Sequence, residues 1–171
     1  MILDELAPLA GKQVLDIGCG KGALIRKLNE HGAMAIGVDP AAPSAGSEAS
    51  ASGLRLERAG AENLPFADRS FDGAIFLNSF HHVPMTLMDT ALIEAARVVK
   101  PGGKIIIVEP LAEGTFFEAL RPIEDETEVR SAAQAAIARA LANRQFKAGA
   151  RHEVIRHDAF QSIEPFLQRV F

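Results

Sequence analysis

The segment Val14-Leu15-Asp16-Ile17-Gly18-Cys19-Gly20-Lys21-Gly22 joins an apolar run to a glycine turn, and a helix-like pattern opens at Ala23. Glycines at a strand-to-helix turn let the backbone bend tightly and let a ligand approach with no Cβ in the way. Two ligand chemistries fit. Gly18-x-Gly20-x-x-Ala23 meets the dinucleotide fingerprint, and Asp39 stands about 20 residues further on, where a ribose-binding acid belongs. That reading gives an NAD(P)-dependent oxidoreductase. Asp16 argues for a different ligand. Its carboxylate precedes the first glycine and faces the ground a pyrophosphate would fill with like charge. It suits a cation instead. S-Adenosylmethionine carries an α-ammonium and a sulfonium, and its ribose would meet Asp39. The plainer expectations are that Asp16 accepts backbone N–H bonds from the turn and that Asp39 caps a helix ahead of Pro40.

His81 and His82 follow a second apolar run, where an acceptor should lie. An imidazole titrates near neutrality. His82, and after it His81, are therefore the candidate general bases for a nucleophile that must lose a proton. The plainer expectation has one histidine bonded to backbone and the other packed under the next helix. No acidic cluster at ligand spacing accompanies the pair, so no metal is expected. Cys19 reads as a small buried filler. Glu109 and Pro110 should face the same cleft. Residues 111–150 should fold over it and set acceptor specificity, with Phe116, Phe117 and Arg121 as lining candidates. Glu124, Asp125, Glu126 and Glu128 read as helix-start charge, not as a catalytic pair.

The elements that must position these groups follow from apolar spacing. Strands are expected at Gln13–Ile17, Met34–Val38, Leu54–Arg58, Asp72–Leu77 and Lys104–Glu109. Helices are expected at Ala23–Glu30, Thr86–Val99, Thr115–Arg121 and Asp125–Phe146. Pro101-Gly102-Gly103 should break the chain sharply. Residues 40–53, small and polar, should be a flexible loop or a poor helix. Glu153–His157 is the last candidate strand and Phe160–Phe171 a closing helix. The strands are near-continuous Val/Ile/Leu runs, which indicates burial on both faces of a parallel sheet. Strand–helix repetition then predicts a doubly wound, Rossmann-like α/β fold with right-handed crossovers.

Composition narrows the classes. The 171 residues suit one domain, with a cofactor-binding core over 1–110 and acceptor-side elements over 111–171. Hydrophobic residues at 48% exclude general disorder. A net charge of −4 argues against a nucleic-acid partner. One cysteine excludes an internal disulfide, and no apolar run is long enough for a membrane span. Met1 to Ala10 is acidic and amphipathic and does not read as a signal peptide, so the expected compartment is the cytoplasm.

Taken together, VLDIGCGKG (14–22), GVDP (37–40), AENLPFADRSFDGAIF (61–76), NSFHHV (78–83) and RVVKPGGKIIIVEP (97–110) resemble the class I S-adenosylmethionine-dependent methyltransferases. The likeness is to their small-molecule "type 11" branch, which includes ubiquinone/menaquinone-type enzymes. It covers roughly residues 10–110. The resemblance implies that Asp16 holds the methionine ammonium, with the backbone of Gly18 and Gly20 close to the methionine portion and Cys19 and Gly22 among the cofactor-binding positions. Asp39, followed by Pro40, would bind the ribose hydroxyls. Ala61 and Glu62 would flank the adenine, with Leu64 an apolar contact. Asn78 would stand beside the methionine part and the acceptor. One departure concerns the adenine: the family commonly has an aspartate where this chain has Gly60. Another is the end of the sheet, where the family's final antiparallel hairpin is not evident, so a shortened chain or a missing edge strand is expected. A bare edge is a surface that a second copy could cover as a homodimer. The resemblance implies an enzyme acting on a small-molecule methyl acceptor; Gly60 and the ends keep open a protein that binds the cofactor without turnover.

Overall fold

Val14, Leu15, Ile17, Ala74, Ile75 and Phe76 are all buried, so the central strands have no solvent face. The computed structural model describes residues 2–42, 54–144, 146–155 and 157. Among these, five parallel strands form one sheet: β1 (Gln13–Ile17), β2 (Met34–Val38), β3 (Arg55–Glu57), β4 (Phe71–Leu77) and β5 (Val99–Val108). Their order is β3-β2-β1-β4-β5. Leu15 pairs with Ile36 on one side and Ala74 on the other, so β1 sits where the order reverses. That reversal opens a crevice beyond the carboxyl ends of β1 and β4.

Alternation of side chains along each strand builds two cores. On one face Val14, Ala35 and Ile75 pack against α1 (Ile2–Leu6) and α2 (Ala23–Glu30) through Leu6, Ile25 and Leu28. On the other, Leu15, Ile17, Ala74 and Phe76 pack with α3 (Met88–Val98) and with Phe80. A short helix, α4 (Thr115–Leu120), leads to α5 (Thr127–Ala142). In α5, Ala133, Ala136 and Ala140 are buried at near-helical spacing, which lets its backbone lie close against the layer below. The alanine richness of this helix is therefore a packing device.

The doubly wound parallel fold stands as expected, and β1, α2 and β2 have the expected bounds. Other expectations change. Pro101-Gly102-Gly103 does not break the chain ahead of β5. The strand runs through it with a register shift, Phe71 pairing with Val99 and Gly73 with Lys104. Gly102, at φ +80°, supplies the bend. Glu153–Ile155 and His157, within the expected last strand, are in no strand. The helix over Ile2–Leu6 was not anticipated; five residues are too few for periodicity to declare. Most of the segment 40–53 and all of Phe160–Phe171 lie outside the described residues. No helix among the described residues is long and apolar enough to cross a membrane.

Candidate active site

The glycine turn is held by backbone bonds and by a tight contact with the end of β4. The N–H groups of Gly18 and Cys19 both donate to the carbonyl of Val38, at 2.8 and 3.0 Å. Gly18 has φ +76°, and a Cβ there would drive into Ser79. Ser79 Oγ in turn donates to the carbonyl of Ile17 at 2.6 Å. The ends of β1 and β4 are thus locked together directly under the turn. Gly20 is different: its φ is +50°, yet nothing lies within 4 Å of where a Cβ would be. That is the open approach expected of a ligand site. Gly22 packs against Leu54 and Ile25 and does not face the opening. Cys19 is buried and free, its sulfur packed against Gly37, and burial pushes its thiol up to about 12. It is an inert filler, as read from the sequence.

Asp16 is 2% exposed at the carboxyl end of β1, and no hydrogen bond from a described residue reaches its carboxylate. The expected backbone bonds from the turn are absent there, because Gly18 and Cys19 give their N–H groups to Val38 and Gly20 to Asp39. Burial, and secondarily the nearby charge of Asp39, push the Asp16 carboxyl up to about 7. An unpartnered buried carboxylate is costly unless a cation meets it. Asp39 caps no helix among the described residues. Its Oδ2 accepts the Gly20 N–H at 2.9 Å and its Oδ1 the Ala41 N–H at 2.8 Å, so it clamps the glycine turn to the end of β2. Pro40 is exposed in the turn that follows.

The next wall comes from the loop ahead of β4. Arg97 of α3 grips it, donating to the carbonyls of Leu64 and Phe66 at 3.0 and 2.7 Å and pairing with Glu94 and Asp68. Glu94 Oε2 also accepts the Leu64 N–H at 2.9 Å. Within that loop Ala61 and Leu64 are buried. The Glu62 carboxylate lies where a side chain at position 60 would start. An acidic group is therefore present at this wall although residue 60 is glycine.

Beyond β4 the chain turns at Asn78, exposed and at φ +51°, a conformation asparagine tolerates. A short 3-10 turn, Phe80–His82, follows. Glu109, just past β5, holds this turn: its carboxylate accepts the N–H groups of Ser79, Phe80 and His81 at 3.0, 2.8 and 3.2 Å. It also accepts from His81 Nδ1. His81 is buried, while His82 is exposed with its ring 4.1 Å from that of His81. On the far side of His81, its Nε2 lies 3.7 Å from Glu126 Oε1.

Spacing gave no sign of Glu126, which stands at the start of α5, 44 residues beyond His82. It holds the N-cap position of that helix without a side-chain capping bond; Asp125 accepts the Thr127 N–H at 3.0 Å. Phe117 and Arg121 do not line the cleft. Phe117 is buried under the Arg130 guanidinium, 5.0 Å from the ring centre, and Arg121 pairs with Glu118 on the surface. A cleft of about 450 Å³ with Ile2, Leu3, Leu24, Leu77 and Val108 in its walls opens beside the ends of β4 and β5.

A family model described as "Methyltransferase domain" matches residues 15–107. The chain is 37% identical over 113 residues to the O-methyltransferase resE of Aspergillus sclerotiorum, covering 61% of this chain and 42% of that protein. It resembles the YcgJ protein of Bacillus subtilis with a TM-score of 0.62 and 28% identity, over 81% of this chain and 64% of the other. It also resembles an S-adenosylmethionine dependent methyltransferase from Mesorhizobium loti, with a TM-score of 0.54 and 27% identity, over 64% and 52% of the two chains. The chain thus spans less than half the length of the first of these relatives.

Proposed function

Because this chain belongs to the methyltransferase-domain family, we propose that it uses S-adenosylmethionine to methylate a small-molecule acceptor. The observation that carries the reading is Asp16: a residue 2% exposed at the end of β1 whose carboxylate has no hydrogen-bond partner among the described residues. A dinucleotide's pyrophosphate would worsen that charge, whereas an ammonium satisfies it. The cofactor supplies an activated methyl group on a sulfonium, whose departure leaves a neutral thioether.

The chain's own task is then to bind, orient and exclude water. Asp16 meets the ammonium. Asp39 keeps lone pairs beyond its bonds to Gly20 and Ala41, and these accept ribose hydroxyls. Gly20 contributes a close approach, its N–H already engaged by Asp39, while Gly18 packs the turn against Ser79. Ala61 supplies an apolar adenine wall, and Glu62 supplies the acidic group that Gly60 lacks. Asn78 stands between cofactor and acceptor. Where the acceptor must lose a proton, His82 offers a solvent-facing imidazole, with His81 behind it. Relatives named as O-methyltransferases favour an oxygen acceptor. The net charge of −4 favours a small molecule over a nucleic acid.

A dye-based thermal shift tests the cofactor, since the chain has no Trp or Tyr for intrinsic fluorescence. S-Adenosylhomocysteine at about 100 times its dissociation constant should add about 2.7 kcal/mol, a shift of several degrees. NADH and NADPH should add nothing. A shift by the dinucleotides alone overturns the reading in favour of an oxidoreductase.

A further inference from the structure

We infer that His81, His82 and Glu126 form a divalent transition-metal site on the acceptor side, with zinc as the best-matched ion. One nitrogen from each histidine and one Glu126 oxygen all lie within 4.8 Å of one another. In a formed tetrahedral zinc site, bonds of about 2.05 Å place such atoms about 3.3 Å apart. The gap is closed by small side-chain rotations, which His82 is the freest of the three to make. His82 is exposed and Glu126 half-buried. Two imidazoles and a carboxylate are a borderline donor set, suited to zinc and poorly suited to magnesium or calcium, which favour oxygen. With three protein ligands, a fourth position stays open for water or an acceptor oxygen.

The surroundings are built as a ligand site requires. His81 Nδ1 lies against the Glu109 carboxylate; in the tautomer that donates there, Nε2 is the lone-pair nitrogen turned toward Glu126. A carboxylate behind a histidine in this way fixes the ring and its tautomer for metal binding. Glu126 is oriented by its other oxygen: Oε2 accepts from Arg130 Nε at 2.9 Å, and Arg130 Nη1 is anchored on the carbonyl of Leu111 at 2.9 Å. Oε1 is left facing His81. The two halves of the site come from different layers, the 3-10 turn after β4 and the start of α5, so a bound ion would also tie α5 over the strand ends.

A cation there would hold an oxygen acceptor at the open position and lower the pKa of its hydroxyl. That use rests on the methyltransferase reading; the binding itself does not. With the ion in place the His82 lone pair is committed to it, so the ion replaces His82 as the agent of proton loss. The competing arrangement is an imidazolium of His81 bridging Glu109 and Glu126, with His82 free.

Isothermal titration of tag-free, chelator-stripped chain with zinc chloride separates the two. One zinc per chain is expected, with affinity reduced at least tenfold in His82→Ala and in Glu126→Gln. Cobalt(II) at the same site should give the intense visible absorption of a four-coordinate ion, and the bands should fade in both variants. The S-adenosylhomocysteine melting shift serves as the control, since the cofactor assignment rests on Asp16 and Asp39 and not on these two residues. No binding by the parent chain, or binding left unchanged in both variants, overturns the site. Loss of the melting shift with zinc binding intact counts against the cofactor reading alone.

Discussion

Asp16→Asn is expected to weaken S-adenosylhomocysteine binding about 100-fold while making the unliganded chain more stable above neutral pH. The first effect follows from removing one member of a buried charge pair, which costs several kcal/mol because the ligand ammonium is then left unpaired. The product thioether keeps that ammonium, so it reports on Asp16 without turnover. The carboxyl sits at about 7 in the unliganded chain because burial, and then Asp39, disfavour its charge. Binding needs the charged form. In the parent chain, affinity should therefore fall about tenfold for each pH unit below 7 and level off above it. Titration calorimetry in buffers of different ionisation enthalpy should register uptake of the ligand with release of a proton on the acid side. A pH-independent affinity from 5 to 8, or an Asn variant that binds as the parent does, overturns the assignment of Asp16 to the ammonium.

The stability effect has the opposite sign to that of an ordinary salt-bridged aspartate. The folded-state pKa, about 7, stands above the ordinary 3.8. Between those values the folded chain holds a proton the unfolded chain has lost, so stability declines as pH rises through that window. A shift of about 3 units corresponds to about 4 kcal/mol lost in full above pH 7, as an order of magnitude. Asparagine carries no such penalty. Urea unfolding at pH 8 should place the variant above the parent by a few kcal/mol, and the difference should vanish near pH 4. A residue that costs stability when ionised, and is needed ionised to bind, is the pattern of a site kept for function.

Why Asp16 was legible and Glu126 was not is a matter of chain distance. Asp16, Gly18, Gly20 and Asp39 lie on two adjacent strands and one turn, and the parallel register of β1 with β2 carries Ile17 beside Val38. Local pattern therefore fixed both their chemistry and their placement. Near-continuous apolar runs gave β1 and β2, and the helical spacing of Leu24, Ile25 and Leu28 gave α2, which buries one face only. Pro101-Gly102-Gly103 misled because turn residues inside a strand produce either a break or a bulge, and only the pairing of Val99 with Phe71 decides between them. Phe117 looked like an acceptor-facing aromatic, but its ring is spent under Arg130. Glu126 meets His81 only because α5, with its buried alanines, settles close to the 3-10 turn. That is tertiary packing, and no spacing along the chain announces it. Glu109 was read as facing the cleft, yet its main partners are three successive N–H groups nearly thirty residues earlier in the chain.

Those three bonds make Glu109→Ala the substitution with the largest expected cost to folding. The Glu109 side chain is 2% exposed, and its carboxylate accepts the N–H groups of Ser79, Phe80 and His81. Alanine leaves these donors and the His81 ring without it, and an unmade buried hydrogen bond costs about 1–3 kcal/mol. Even with water entering the gap, a total loss above about 3 kcal/mol is expected, read as a lower urea midpoint at unchanged slope. The damage should reach the cofactor. Ser79 is the residue against which Gly18 is packed, and its hydroxyl holds the carbonyl of Ile17. A 3-10 turn that loosens at Ser79 releases the glycine turn above β1, so the S-adenosylhomocysteine melting shift should shrink along with stability. Glu109→Gln discriminates a packing role from this bonding role. It keeps the volume and one acceptor oxygen but offers an NH₂ where a second acceptor is needed. It should therefore fall between parent and alanine in stability. A glutamine variant as unstable as alanine points to the charge itself as the requirement, and an alanine variant as stable as the parent would show that the turn stands without Glu109.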